Sequence, residues 1–310
     1  MCGYDTNMSF NPHNAVVVLG ATASGKTRLG VRLADALGGE IVSADSRQVY
    51  CGLDLGAGKD LSEYAVDGRS IPYHLIDIVD LDDEFSVFDY QQRFFEVFAE
   101  LRARHVLPVV VGGTGLYLEA VLKGYKMVAV PEDPAFRAEL AHLSDDELAA
   151  RLRAVKPRLH NTTDLVDRHR LVRAIEIARY SRAHPPEPLP ELEALVLGAR
   201  WPRDKLRERI RERLVARLAA GMLDEVEALH ERGVAWARLE QLGLEYRYVA
   251  QFLQGTIQNR NDLVQKLHSA ICKFAKRQDT WFRRMERNGT AIHWIPEADF
   301  DAAMQIVQSG

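Results

Sequence analysis

Regular patterning begins at AVVVLG (residues 15–20), a β-branched apolar run ending in glycine. A run of that length and composition predicts a strand buried on both faces. ATASGK follows, and then TRLGVRLADAL, in which Leu29, Val31, Leu33, Ala34 and Leu37 recur at near-helical spacing. EIVSAD (40–45) predicts a second strand, and HLIDIVD (74–80) and LPVVVGG (107–113) predict two more. The amphipathic stretch DYQQRFFEVFAELRARH separates those last two. Strands alternating with helices over the first ~120 residues predict an open α/β sheet with right-handed crossovers.

The period then changes. From Asp133 to Tyr180 the strand signal gives way to FRAELAHL, DDELAARLRAV and DRHRLVRAIEIARY, each amphipathic, with Ser144 placed as a helix cap. PPEPLP (185–190) is a stiff break, after which ALVLGARW (194–201) returns as a strand of the same sheet. A basic helix over 202–218, a loop region, a helix over 260–287 and a last strand TAIHWI (290–295) complete the pattern. The economical expectation is one phosphate-loop-type parallel sheet flanked by helices and interrupted by an all-helical insertion. Its parts are residues 1–124 (first part of the core), 125–190 (insertion) and 191–310 (core completion). No internal repeat is visible.

Composition narrows the class. The chain has 310 residues, 47% hydrophobic and 27% charged, with 40 Lys+Arg against 44 Asp+Glu and a net charge of −4. Disordered and fibrous chains are excluded, and so is nucleic-acid coating by bulk charge, although a local basic face is not. Cys2, Cys51 and Cys272 are too dispersed for a disulfide framework or a zinc module. No run reaches the ~18 apolar residues of a membrane span, and the polar start MCGYDTNMSFNPHN lacks a signal-peptide pattern. The expectation is a cytoplasmic protein without membrane attachment, acting as a monomer.

The chemistry concentrates at strand ends. Gly20-Ala21-Thr22-Ala23-Ser24-Gly25-Lys26-Thr27 matches G-x-x-x-x-G-K-[ST] between a predicted strand and a predicted helix. Backbone N–H groups there wrap a phosphate, Lys26 reaches its far end, and the Thr27 hydroxyl suits Mg²⁺. The motif alone leaves kinases, NTPases and diphosphate-using transferases open. Asp45, just beyond the second strand, sits where a carboxylate accepts a proton from a nucleophile, holds Mg²⁺ through water, or caps a helix. Gly112-Gly113-Thr114 ends the fourth strand and offers a hydroxyl to a leaving-group oxygen. Arg209 and Arg213, one turn apart, are positioned to converge on a diphosphate. Further basic clusters, around Arg168–Arg179 and at Lys273, Lys276, Arg277 and Arg283 beside Trp281, suggest a localised polyanion-binding face.

These residues closely resemble the bacterial tRNA dimethylallyltransferases, also called tRNA isopentenyltransferases, over nearly the whole chain. The resemblance runs through GATASGKT (20–27), ADSRQVY (44–50), GLDLG (52–56), HLIDI (74–78), VGGTGLY (111–117), RLVRAIEI (170–177) and AKRQDTWFR (275–283). It implies transfer of a dimethylallyl group from its diphosphate to N6 of the adenosine immediately 3′ of a tRNA anticodon, with Mg²⁺ as cofactor. It implies that Asp45 is the general base, that Thr114 lies beside the diphosphate, and that the phosphate loop holds the prenyl donor. Asp45, Ser46, Arg47 and Gln48 would contact the extruded nucleotide. Arg137 and His169, Arg170, Leu171, Val172 and Arg173 match tRNA-touching positions, and Arg247, Lys276 and Arg277 are further candidates for contact with the anticodon stem-loop. Two departures stand out. Gly56-Ala57-Gly58-Lys59-Asp60 replaces the family's G-T-A-K-P, and Leu242-Gly243-Leu244-Glu245-Tyr246-Arg247-Tyr248 alters its G-Y-R/K-Q/E stretch. A free-nucleotide isopentenyltransferase is the nearest alternative, less favoured because a free nucleotide needs no basic helical platform. A small-molecule kinase and a nucleotide-switched RNA-binding module are more distant.

Overall fold

The computed structural model describes residues 13–155 and 167–309. Cys2 and the polar N-terminal segment lie outside the described residues. The chain divides into two compact units, residues 1–124 with 190–310, and residues 125–189.

In the first unit, β1 (Ala15–Gly20), β2 (Gly39–Ala44), β5 (Tyr73–His74), β6 (Leu107–Gly112), β7 (Ala194–Arg200) and β8 (His293–Pro296) form one parallel sheet in the order β5-β2-β6-β1-β7-β8. β1, β2 and β6 are buried along their entire length. That burial accounts for the nearly continuous apolar runs of β1 and β6, because a strand covered on both faces has no polar side to show. Helices α1 (Lys26–Leu37), α2 (Val87–Ala103) and α3 (Gly115–Leu122) follow these strands, and β3 (Ala65–Val66) pairs with β4 (Arg69–Ser70) in a small hairpin. The sheet order reverses around β1, so the loops after β1, β2 and β6 meet at the carboxyl edge where ligands of such sheets bind.

Three expectations about this unit need correction. HLIDIVD is not a full strand. Only Tyr73–His74 pairs with β2, and Val79 makes a single bridge to Tyr50. Leu75 and Asp77 adopt φ of 61° and 53°, turning the backbone so that the Asp77 and Ile78 amides bond Gln48 and Val49 carbonyls. The stretch between the basic helix α7 (Arg203–Ala219) and α11 (Arg260–Arg287) is not a loop. It holds α8 (Met222–Glu231), α9 (Trp236–Gln241) and α10 (Leu244–Leu253), whose Val226, Leu229, Leu239, Tyr246 and Val249 are buried in a shared core with Ile210, Leu214, Leu263 and Leu267. The last strand starts three residues later than expected, because the Thr290 amide still caps α11 through the Met285 carbonyl. A terminal helix, α12 (Phe300–Ser309), packs on α1.

The second unit is helical: α4 (Pro134–Ala141), α5 (Asp145–Val155) and α6 (Arg168–Ala183) close on Phe136, Leu140, Leu148, Leu152, Leu171 and Ile175. Ser144 caps α5 as expected, its hydroxyl accepting from the Glu147 amide while Glu147 accepts from the Ser144 amide at 2.8 Å. Among the described residues no helix is long and apolar enough to cross a membrane.

Candidate active site

One cavity of about 580 Å³ opens at the carboxyl edge of the sheet. Thr22, Ala23, Gly25, Lys26 and Thr27 form one wall, and Asp45, Ser46, Arg47, Gln48 and Thr114 form the facing one. Arg209 and Arg213 of α7, Arg247 of α10 and Arg277 of α11 also line it. Gly20, Ala21 and Ser24 stand behind it as the frame of the loop. The Ser24 carbonyl accepts from the Trp201 indole at 2.8 Å, and its buried hydroxyl has no partner.

The cations of this cavity have few side-chain counter-ions. Among the described residues, Lys26 Nζ hydrogen-bonds only the Ala21 carbonyl, at 3.4 Å. Arg209 donates to the Ala23 carbonyl at 2.9 Å and stacks 4.2 Å from the Trp201 ring centre. Arg213 donates to the Thr22 hydroxyl. Burial pulls the Lys26 ammonium down to about 8, with Arg213 and Arg217 adding to that shift and Asp45 opposing it. Burial and the neighbouring Arg217 bring Arg213 to about 10. A cluster whose members lower one another's charge is complementary to a polyanion.

The facing wall is held by its own bonds. Asp45 Oδ1 accepts from the Arg47 amide at 2.9 Å, which fixes the carboxylate in a turn rather than as a helix cap. The Thr114 hydroxyl accepts from the Ser46 amide at 3.0 Å, joining the ends of β2 and β6. Gln48 is largely committed, accepting from Ser43 and donating to the Gly58 carbonyl, both at 2.9 Å.

Gln278 on α11 is a site residue that motif reading overlooked. Its amide oxygen accepts from the Thr22 amide and its amide nitrogen donates to the Gly113 carbonyl, both at 2.9 Å, so it latches the phosphate loop to the β6 turn. The glycines there make room: a Cβ on Gly113 would fall 2.5 Å from Gln278, and one on Gly115 would run into Trp281. AKRQDTWFR carried the signal, but its charges drew the reading and its glutamine did not. Glu63 and Glu245 also line the cavity, and burial raises both carboxyls above the usual range.

Other expected contact residues stand elsewhere. Lys276 lines a separate groove with Arg203, Arg207 and Arg283. Arg137, His169, Arg170, Leu171, Val172 and Arg173 belong to the helical unit. Leu171 is a correction: it is fully buried in that unit's core and its side chain presents nothing to a ligand. Arg137 and Arg173 both bind Glu176, whereas His169 and Arg170 are exposed. In the altered segment 242–248, Arg247 is exposed and tied by its Nε to the Glu240 carbonyl at 2.9 Å.

The Thr27 hydroxyl and the Asp45 carboxylate line the same cavity, and among the described residues no three His, Cys, Asp or Glu side chains form a ready cage. Mg²⁺ keeps several waters and takes one or two protein oxygens plus substrate phosphates, so these residues fit it.

Comparison with known proteins gives a consistent result. The IPP transferase family model matches residues 48–285, and the isopentenyl transferase model matches residues 13–71. The tRNA dimethylallyltransferase 1 of Geotalea uraniireducens is 60% identical over 288 residues, covering 93% of this chain and 94% of that protein. The tRNA dimethylallyltransferase 2 of Syntrophotalea carbinolica is 60% identical over 287 residues, covering 92% and 95%. Among solved structures, the full-length tRNA isopentenylpyrophosphate transferase of Bacillus halodurans superposes with a TM-score of 0.69 at 30% identity, covering 96% of this chain and 95% of that one.

Proposed function

Because the chain belongs to the IPP transferase family and catalyses prenyl transfer to tRNA, we propose that its cavity holds dimethylallyl diphosphate on the phosphate loop and prenylates N6 of the adenosine 3′ of the anticodon. The observation that carries this reading is the convergence of Lys26, Arg209, Arg213 and Asp45, from three separate segments, on one cavity.

The residues divide the chemistry between them. Loop amides, Lys26, Arg209 and Arg213 bind the diphosphate and take up the charge that develops as the allylic C–O bond breaks. Thr27 would hold Mg²⁺, which would supply further charge neutralisation to the leaving group and leave Asp45 free as the base. The exocyclic amine of adenine is a poor nucleophile, so Asp45 accepts its proton as the C–N bond forms. Thr114, fixed against Ser46, offers its hydroxyl beside the diphosphate. The target base has to leave its stack to reach this depth. Ser46, Arg47 and Gln48 then flank it, while Arg247, Lys276, Arg277 and Arg170 supply charge to the RNA backbone and His169 offers it a hydrogen-bonding ring. On this reading the protein works as a monomer in the cytoplasm.

The test is to incubate the protein with radiolabelled dimethylallyl diphosphate and either unmodified tRNA or AMP. Label is expected in tRNA, at the adenosine following the anticodon. Label in AMP alone, or at another nucleotide, overturns the reading.

A further inference from the structure

Arg217 lies on α7 one turn beyond Arg213 and two beyond Arg209, so the three arginines share a helix face. All three line the cavity. Arg217 is only 7% exposed. One of its terminal nitrogens meets Asp60 Oδ2 at 2.5 Å, while its Nε is buried with no protein partner. Its charge is felt at both Lys26 and Arg213, which places it in the same electrostatic cluster.

The loop opposite is shaped around this guanidinium. Gly58 has φ +67°, and a Cβ on it would collide with the guanidinium group. Asp60 is the counter-ion, with a carboxylate about a third exposed. Gly58 and Asp60 stand where the G-T-A-K-P pattern has alanine and proline, so two of the three departures in this segment, Ala57 being the third, lie against Arg217. A neighbouring network holds the loop rigid. Glu225 accepts from the Leu55 amide at 2.6 Å and from the Tyr246 hydroxyl at 2.6 Å, and that hydroxyl accepts from the Ala57 amide at 3.1 Å.

A guanidinium buried against a single carboxylate that is about a third exposed, with one donor unpaired and two cations nearby, is electrostatically incomplete. We propose that Arg217 is a further leaving-group residue, its guanidinium binding the diphosphate beside Lys26 and Arg213, with Asp60 as the positioning residue that aims it. When the allylic C–O bond breaks, the bonding electrons pass to the diphosphate oxygen, and a planar fork of N–H donors matches the phosphate that receives them. The inference rests on the reading that this cavity holds the diphosphate.

Calorimetric titration with inorganic diphosphate separates the two. Arg217→Gln is expected to raise the diphosphate Kd about tenfold or more, and Arg217→Lys, which keeps charge but loses the fork, to raise it less. Asp60→Asn should weaken diphosphate binding and raise the donor KM while leaving the Kd for tRNA unchanged. Lys26→Ala serves as the reference. If Lys26→Ala loses diphosphate and Arg217→Gln binds it as the wild type does, the inference fails and the reading of the cavity stands. If both bind it as the wild type does, both fail. Should Arg217→Gln not fold, Arg217→Lys decides: a lowered Tm with an unchanged diphosphate Kd means a purely structural arginine and overturns the proposal.

Discussion

Arginines are used in opposite ways around Glu176 in the helical unit and around the phosphate loop in the α/β unit. In the helical unit Glu176 is nearly buried and gathers cations. Its carboxylate accepts from Arg137 at 3.0 Å and from the Asp133 amide at 2.7 Å, and it also pairs with Arg173. Burial alone would raise this acid, but Arg137, Asp133 and Arg173 outweigh it and hold it at about 2. Arg168 is likewise paired with Asp145 at 2.7 Å. In the α/β unit, Lys26 and Arg209 bond backbone carbonyls and Arg213 a hydroxyl. The same side chain is a fastener where its charge is answered by the fold and a binding group where it is not. Counting basic residues in sequence does not separate these uses, but the placement of acids does.

The comparison breaks first at Asp45. Asp45→Asn is expected to slow prenyl transfer by ~10²-fold or more while tRNA still binds, measured by single-turnover transfer and filter binding. Wild-type turnover in that variant would leave the cavity a binding site without its base. Next in size, Glu176→Gln should cost about 2 kcal/mol in urea-induced unfolding. A larger loss is not expected, because Arg137 and Arg173 are each about a third exposed and regain water. The donor KM should not move, and an unchanged unfolding midpoint would show that these arginines are not fasteners. The smallest effect is on pH dependence. Lys26 is brought down from 10.5 to about 8, so its ammonium is charged below that pH and neutral above it, and only the charged form neutralises a diphosphate. The kcat/KM for the donor should therefore fall as pH rises through about 8, approaching tenfold per unit. A flat profile across that range would free Lys26 from the role.

Legibility in the sequence followed locality. The phosphate loop, Asp45 and Thr114 were readable because each sits at the end of a short, fully buried strand, and the strand itself is the signal. The α8–α10 region was not, because Gly221, Gly233 and Gly243 cut it into helices of ten, six and ten residues, too short for a clear period. The reading of 74–80 as a strand failed because its apolar content is strand-like but the backbone at Leu75 and Asp77 turns toward partners near residue 48. The roles of Arg137 and Arg217 were hidden for a related reason. Their partners, Glu176 and Asp60, lie 39 and 157 positions away in the chain, and charge pattern has no reach over such distances.

The latch made by Gln278 has a consequence for biogenesis. Its two bonds join residues 256 and 165 positions apart. The loop after β1 is translated early, yet it cannot be clamped until nearly all of the polypeptide has emerged from the ribosome. A nascent chain stalled within α10 would carry a complete phosphate-loop motif without the Gln278 latch. Pairings of such long range also slow folding, so competence for catalysis should arrive late and all at once, with the synthesis of the final long helix.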